Sequence, residues 1–129
     1  MSVESTYKTM MAYARSHDTS FVAEDAVFTD ISTGGETKGR PAIAQSLDYF
    51  FHQTFDAHPE LTNLIAADGQ ATIEGYVVGK HTGEFAGIPA TGKYVRVPIA
   101  VVYDLEDDQI KRARVYLMIN VLLQQLGVQ

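Results

Sequence analysis

From Val3 to Ala14 the apolar positions Val3, Tyr7, Met10, Met11 and Ala14 recur at three- and four-residue steps, which gathers them on one side of an α-helix. Ser2 precedes the run as an N-cap, and Glu4 puts a carboxylate in the first turn, where the helix dipole favours it. A second short helix is predicted over Ser20 to Asp25, capped by Thr19 or Ser20. Val27 to Ile31 then reads as a short strand ending at the Gly34-Gly35 turn. Pro41 suits the first turn of a helix. Behind it Ile43, Leu47, Phe50, Phe51 and Phe55 form one apolar stripe, so the main helix is predicted over Ala42 to Phe55. Pro59 disfavours helix at His58 and ends any continuation.

After Pro59 the period shortens to two. Glu60 to Ala66 reads as a strand, Asp68-Gly69 as a hairpin turn, and Gln70 to His81 as the next strand. Thr82 to Gly92 holds three glycines and a proline and reads as a loop. Lys93 to Leu105 and Gln109 to Ile119 are long strands joined by Glu106-Asp107-Asp108. Three N-terminal helices followed by consecutive hairpins indicate one α+β domain over residues 1–129, with a mostly antiparallel sheet.

Strand side chains alternate sides, so parity assigns the faces. Val95, Val97, Ile99, Val101 and Tyr103 share one side of the first long strand; Ala113, Val115, Leu117 and Ile119 share one side of the second. That face is apolar and is expected to meet the helices. The other face mixes Tyr94, Pro98, Tyr116 and Met118 with Arg96, Arg112 and Arg114. It is expected either to pack on the same face of a second copy, with Arg96 or Arg114 near Glu74, or to stand in water as an ordinary amphipathic sheet.

The chain's 129 residues suffice for a core without staples, and the absence of cysteine removes disulfides and thiolate chemistry. That absence fits a cytoplasmic address, which is the expectation here. A net charge of −6 argues against a nucleic-acid partner, which needs a basic footprint. No apolar run approaches the roughly 18 residues of a membrane span, and MSVESTYK is not built like a signal peptide. The four histidines show no metal-ligand spacing, so no metal is expected.

Gly79-Lys-His81-Thr-Gly83-Glu-Phe-Ala-Gly87-Ile-Pro89-Ala-Thr91-Gly92-Lys93 resembles the G-x-H-x-G-x-x-x-G-x-P-x-T-G-K segment of SnoaL-like polyketide cyclases. Leu122-Leu123-Gln124-Gln125-Leu126-Gly127 is similar to the same family's closing L-L-x-Q-L-G. The resemblance implies the cone of the nuclear transport factor 2-like superfamily: helices packed into a highly curved sheet around a pocket, frequent homodimers, and cofactor-free chemistry where members are enzymes. It also implies positions. Aligned on Gln125-Leu126-Gly127, the family's acid/base aspartate falls at Val115, and the accessory histidine and glutamine fall at Val101 and Ile99. A second family pattern puts an aspartate at Met118. None of these side chains transfers a proton, so the family's aldol-type cyclisation is not expected to run through them.

Other residues carry the remaining chemistry. Asp30 is a candidate acid/base, or else a turn carboxylate beside Gly34-Gly35. His52 and Asp56 lie four apart on the predicted main helix, either as a carboxylate-oriented imidazole or as a surface pair. His81, between glycines, is expected to lock its loop by donating to backbone carbonyls. Tyr103 either puts a hydroxyl inside the cone or is satisfied in the core, and Tyr13 and Tyr49 are similarly open.

Three functions follow. A cone lined by Phe50, Phe51, Val95, Ile99, Val101, Tyr103, Val115 and Leu117 would take a small apolar molecule. A cofactor-independent cyclase or isomerase would use Asp30 or His52 on a polyketide-like or aromatic substrate. A dimerisation module would have its cone filled by its own side chains. An open cavity reached by Asp30 or His52 separates the second from the others.

Overall fold

The computed structural model describes residues 1–128. α1 (Val3–Ser16) begins with a capping box: Ser2 Oγ accepts from the Ser5 N–H, and Ser5 Oγ accepts from the Ser2 N–H. It buries Met10, Tyr13 and Ala14, and its buried Thr6 hydroxyl accepts the Gly69 N–H at 3.1 Å, fastening the helix to a hairpin turn. The predicted second helix shrinks to one 3₁₀ turn, Thr19–Phe21, capped by Asp18. Val22, Ala23 and Ala26 are buried in a strand instead, so β1 runs over Val22–Asp30 and is longer than predicted. Burial against the sheet and helices overrides a weak local helix signal.

A short β2 (Glu36–Lys38) precedes α2 (Arg40–Asp48), which has Pro41 in its first turn. The helix then widens to π geometry over Tyr49–Thr54, where the Thr54 hydroxyl donates to the carbonyls of Tyr49 and Phe50. The helical stretch thus ends one residue before Phe55. Phe55 opens β3 (Phe55–Ala67), which carries Pro59 inside it. Proline is tolerated because β3 is an edge strand paired only with β4 (Gln70–His81). β5 (Tyr94–Glu106) and β6 (Gln109–Leu117) complete the sheet. A third helix, α3 (Ile119–Gln125), follows where the sequence pattern gave no element.

The strand order is β2-β1-β6-β5-β4-β3, antiparallel except between β1 and β6. The sheet curls without closing. Two glycines permit the curl at its edge: a Cβ on Gly75 would collide with the Glu60 carbonyl, and one on Gly79 with that of Asp56. Two apolar clusters fill the concave side. One joins α1 and α2 to the sheet through Met10, Tyr13, Ile43, Val101, Tyr103 and Ile110. The other joins Phe51 and Phe55 to Val95, Val97, Leu122 and Leu126.

Candidate functional site

The predicted facing holds. Val101 and Val115 point to the concave side, while the side chains of Arg96 and Arg114 lie on the convex one. Between the helices and the inner faces of β1, β4, β5 and β6 lies a cavity of about 290 Å³. Phe50 and Phe51 enter it from the π turn, and Ile99, Val101, Tyr103, Val115 and Leu117 from the two long strands. Phe28, Ile73, Val77 and Pro59 extend the apolar wall. Of the predicted lining, Val95 alone falls outside. It is 3 % exposed in the second cluster, because the C-terminal helix brings Leu122 and Leu126 over that end of the cone.

The titratable candidates separate. Asp30 lines the cavity at its exposed rim, where Oδ1 accepts the Ser32 N–H at 3.0 Å and the Ser32 hydroxyl at 2.7 Å. Asp30 is thus a turn carboxylate, as one of its two expected readings had it, placed at the mouth of the cavity. His52 does not line the cavity; it is exposed beside a separate depression formed with Ser16, His17, Asp48 and Leu47. The expected His52–Asp56 alignment is absent because the helical stretch ends at Thr54 and Asp56 lies in β3 opposite Lys80.

His17, which sequence reasoning passed over, lines both the cavity and that depression. It caps α1 in a left-handed conformation, φ 51°, and lies between the rings of Tyr13 and Phe51 at 5.4 and 4.8 Å. Burial, reinforced by the neighbouring His52, lowers its pKa to about 4, so the imidazole is neutral at pH 7. The available signal was spacing: His17 follows Tyr13 by four residues and so continues the buried stripe of α1.

Tyr13 and Tyr103 meet edge to face on the cavity wall, ring centres 6.0 Å apart. Burial pushes both phenols above their ordinary range, and Tyr13 raises Tyr103 further. Both are therefore neutral donors at physiological pH.

His81 has the loop-holding position expected of it, with a different bond. Its ring is fully buried against Phe55, and Nδ1 accepts the Thr91 N–H at 3.1 Å rather than donating to a carbonyl. Backbone bonds from His81 N–H to Lys93 O and from Gly92 N–H to His81 O close the loop around it.

On the convex face Arg96 pairs with Glu60 at 2.8 Å and covers the Tyr76 ring at 3.5 Å, while Arg114 pairs with Asp104 at 2.8 Å. Within the subunit Glu74 accepts from Asn63 Nδ2 at 3.2 Å. A wider trough of about 450 Å³ lies beside Asp25, Glu36, Lys111, Arg112 and Arg114; Lys111 is bridged there to Asp25. Among the described residues no group of three or more His, Asp or Glu could hold a metal ion, and no helix is long and apolar enough to cross a membrane.

A curled six-stranded sheet holding helices and an internal apolar cavity defines a cone-shaped α+β domain. The chain belongs to the SnoaL-like polyketide cyclase family, whose model matches residues 9–126. No curated protein matches it significantly. Among solved structures it is similar to a proposed SnoaL-like polyketide cyclase from Jannaschia sp. CCS1, with TM-score 0.85 and 14 % identity over 98 % of this chain and 94 % of that one. It is also similar to a phenazine biosynthesis-related protein from Pseudomonas aeruginosa, with TM-score 0.79 and 18 % identity over 98 % and 87 % of the two chains. A protein of ketosteroid isomerase-like fold from Catenulispora acidiphila, in complex with trimethylamine, gives TM-score 0.74 and 18 % identity over 96 % and 93 %. At these identities the likeness is one of fold.

Proposed function

We propose that this domain binds a small, predominantly apolar molecule inside the cone. The observation that carries the reading is the cavity itself. About 290 Å³ lies near the lower end of small-ligand pockets, and its wall is mostly aliphatic and aromatic with few polar groups. Such a wall rewards an apolar occupant through the area it removes from water, about 25 cal/mol per Å². A ligand at a hundred times its Kd should stabilise the fold by about 2.7 kcal/mol. Thermal-shift screening with fused aromatic and fatty compounds is expected to raise Tm for the compact ring compounds. Silence across such a panel would count against binding and would leave a dimerisation module ahead.

A second reading is supported by Asp30. Its carboxylate sits on the same cavity wall, so a ligand in the cone could meet a proton acceptor at the rim. In this reading the domain is a cofactor-independent cyclase or isomerase acting on an aromatic or polyketide-like substrate. His52 loses its place in that proposal, since it lies outside the cavity. Asp30→Asn should abolish turnover of any substrate found; full activity would remove Asp30 from the mechanism.

Homodimerisation through the convex sheet face belongs to the same proposal. Tyr116 and Met118 are exposed there beside Pro98 and Ala100, and Arg96 and Arg114 already have acidic partners within the subunit. Covering the face would therefore strand no charge from those pairs. Light scattering at micromolar concentration should give the mass of two chains; the mass of one would rule the pairing out.

A further inference from the structure

Two tyrosines of the cone, Tyr13 and Tyr103, line the cavity with no hydrogen bond from their hydroxyls to the protein among the described residues. Tyr13 on α1 is 1 % exposed and Tyr103 on β5 is 4 % exposed. A phenol hydroxyl that borders a cavity is a donor open to whatever fills it. On the same wall Asp30 accepts from Ser32 and the Ser46 hydroxyl donates to the Ile43 carbonyl, while His17, Thr29 and Thr37 supply its remaining polar side chains. No lysine or arginine lines the cavity, and the acid at its rim opposes an anion.

We propose that Tyr13 and Tyr103 are the specificity-determining donors of the cone, holding an uncharged oxygen acceptor, a ketone or comparable carbonyl, on an otherwise apolar ring ligand. The inference deepens the binding reading and rests on it. The two residues come from helix and sheet and meet edge to face, so one carbonyl oxygen accepting from both hydroxyls fixes the ligand's orientation while its rings fill the aliphatic space. A carboxylate of the same size would enter without a cation to meet it, which costs far more than a neutral carbonyl. A hydrocarbon of the same size would fill the space and leave both phenols without acceptors.

The test compares 1-tetralone, tetralin and 1-naphthoate by calorimetric titration of the whole chain, in the wild type and in Tyr13→Phe, Tyr103→Phe and the double variant. Tetralone is expected to bind the wild type at least tenfold more tightly than tetralin, and naphthoate more weakly than either. Each single variant should cut the ketone preference by about three- to tenfold, and the double variant should abolish it while still binding tetralin. The infrared carbonyl stretch of bound tetralone should shift to lower frequency in the wild type and return in the double variant, a readout that altered packing alone would not produce. Equal binding of tetralone and tetralin by the wild type, or a ketone preference surviving in the double variant, overturns the donor assignment and leaves the apolar pocket standing. Binding of neither compound overturns the pocket reading and the donor assignment with it.

Discussion

The two ends of the cone use the same strand face for opposite purposes. At the end formed by Val95 and Val97, the C-terminal helix lays Leu122 and Leu126 over β5, and Phe55, Phe85 and the buried His81 fill what remains. At the other end Ile99, Val101 and Tyr103 continue the same alternation but face a cavity. Alternation decides which way a side chain points; what stands opposite decides whether it becomes core or wall. The closed end gains packing from every inward atom, whereas the open end forgoes some of it and keeps a space that a ligand could fill.

The largest contrast should appear on truncation. Leu122→Ala, at a side chain 1 % exposed in the closed end, is expected to cost about 3 kcal/mol by denaturant titration. Val101→Ala borders existing space and should cost only about 1 kcal/mol. Similar losses at both would erase the distinction between the ends.

Acid should act on the open end. The unfolded His17 imidazole takes up a proton near pH 6.5, whereas the folded one stays neutral down to about pH 4. Between those values the unfolded state binds more protons, so stability falls as the pH drops from 6.5 to 4 and levels off below. The loss should be on the order of 2 kcal/mol after allowance for solvent access. His17→Gln should flatten that part of the stability–pH curve, and an unchanged slope would place the titration elsewhere.

The smallest effect belongs to the convex face. Hydrogen bonding from Arg114 holds the Asp104 carboxyl below the usual carboxylate range. The stabilisation is therefore present above pH 3.8 and is lost as the pH falls through the folded-state value. Because the pair is partly exposed, Asp104→Asn should cost less than about 1 kcal/mol at pH 7.

Much of the fold was legible because period and parity are local. The stripe over Ile43, Leu47, Phe50 and Phe51 located the main helix, and alternation along β5 and β6 set Val101 and Val115 inward. The errors arose where distant contacts decide. Val22 to Asp25 carries a weak helix pattern that burial of Val22 and Ala23 in the sheet overrides, and Pro59 reads as a terminator until β3 is known to be an edge. The cavity residues that face inward from the strands were readable; Val95's exclusion was not, since it depends on a C-terminal helix the pattern left unassigned. His17 was missed because its importance comes from the packing of Phe51 and the approach of His52, neither near it in sequence.

The central claim is that the inward strand face encloses usable space at one end. Calorimetric titration of tetralin into the wild type and into Val101→Trp, whose indole would occupy that space, tests it most directly. The expected result is one site per chain with a negative heat-capacity change in the wild type and no binding to a folded Val101→Trp. No heat with the wild type at any temperature, or equal binding by both proteins, would contradict it.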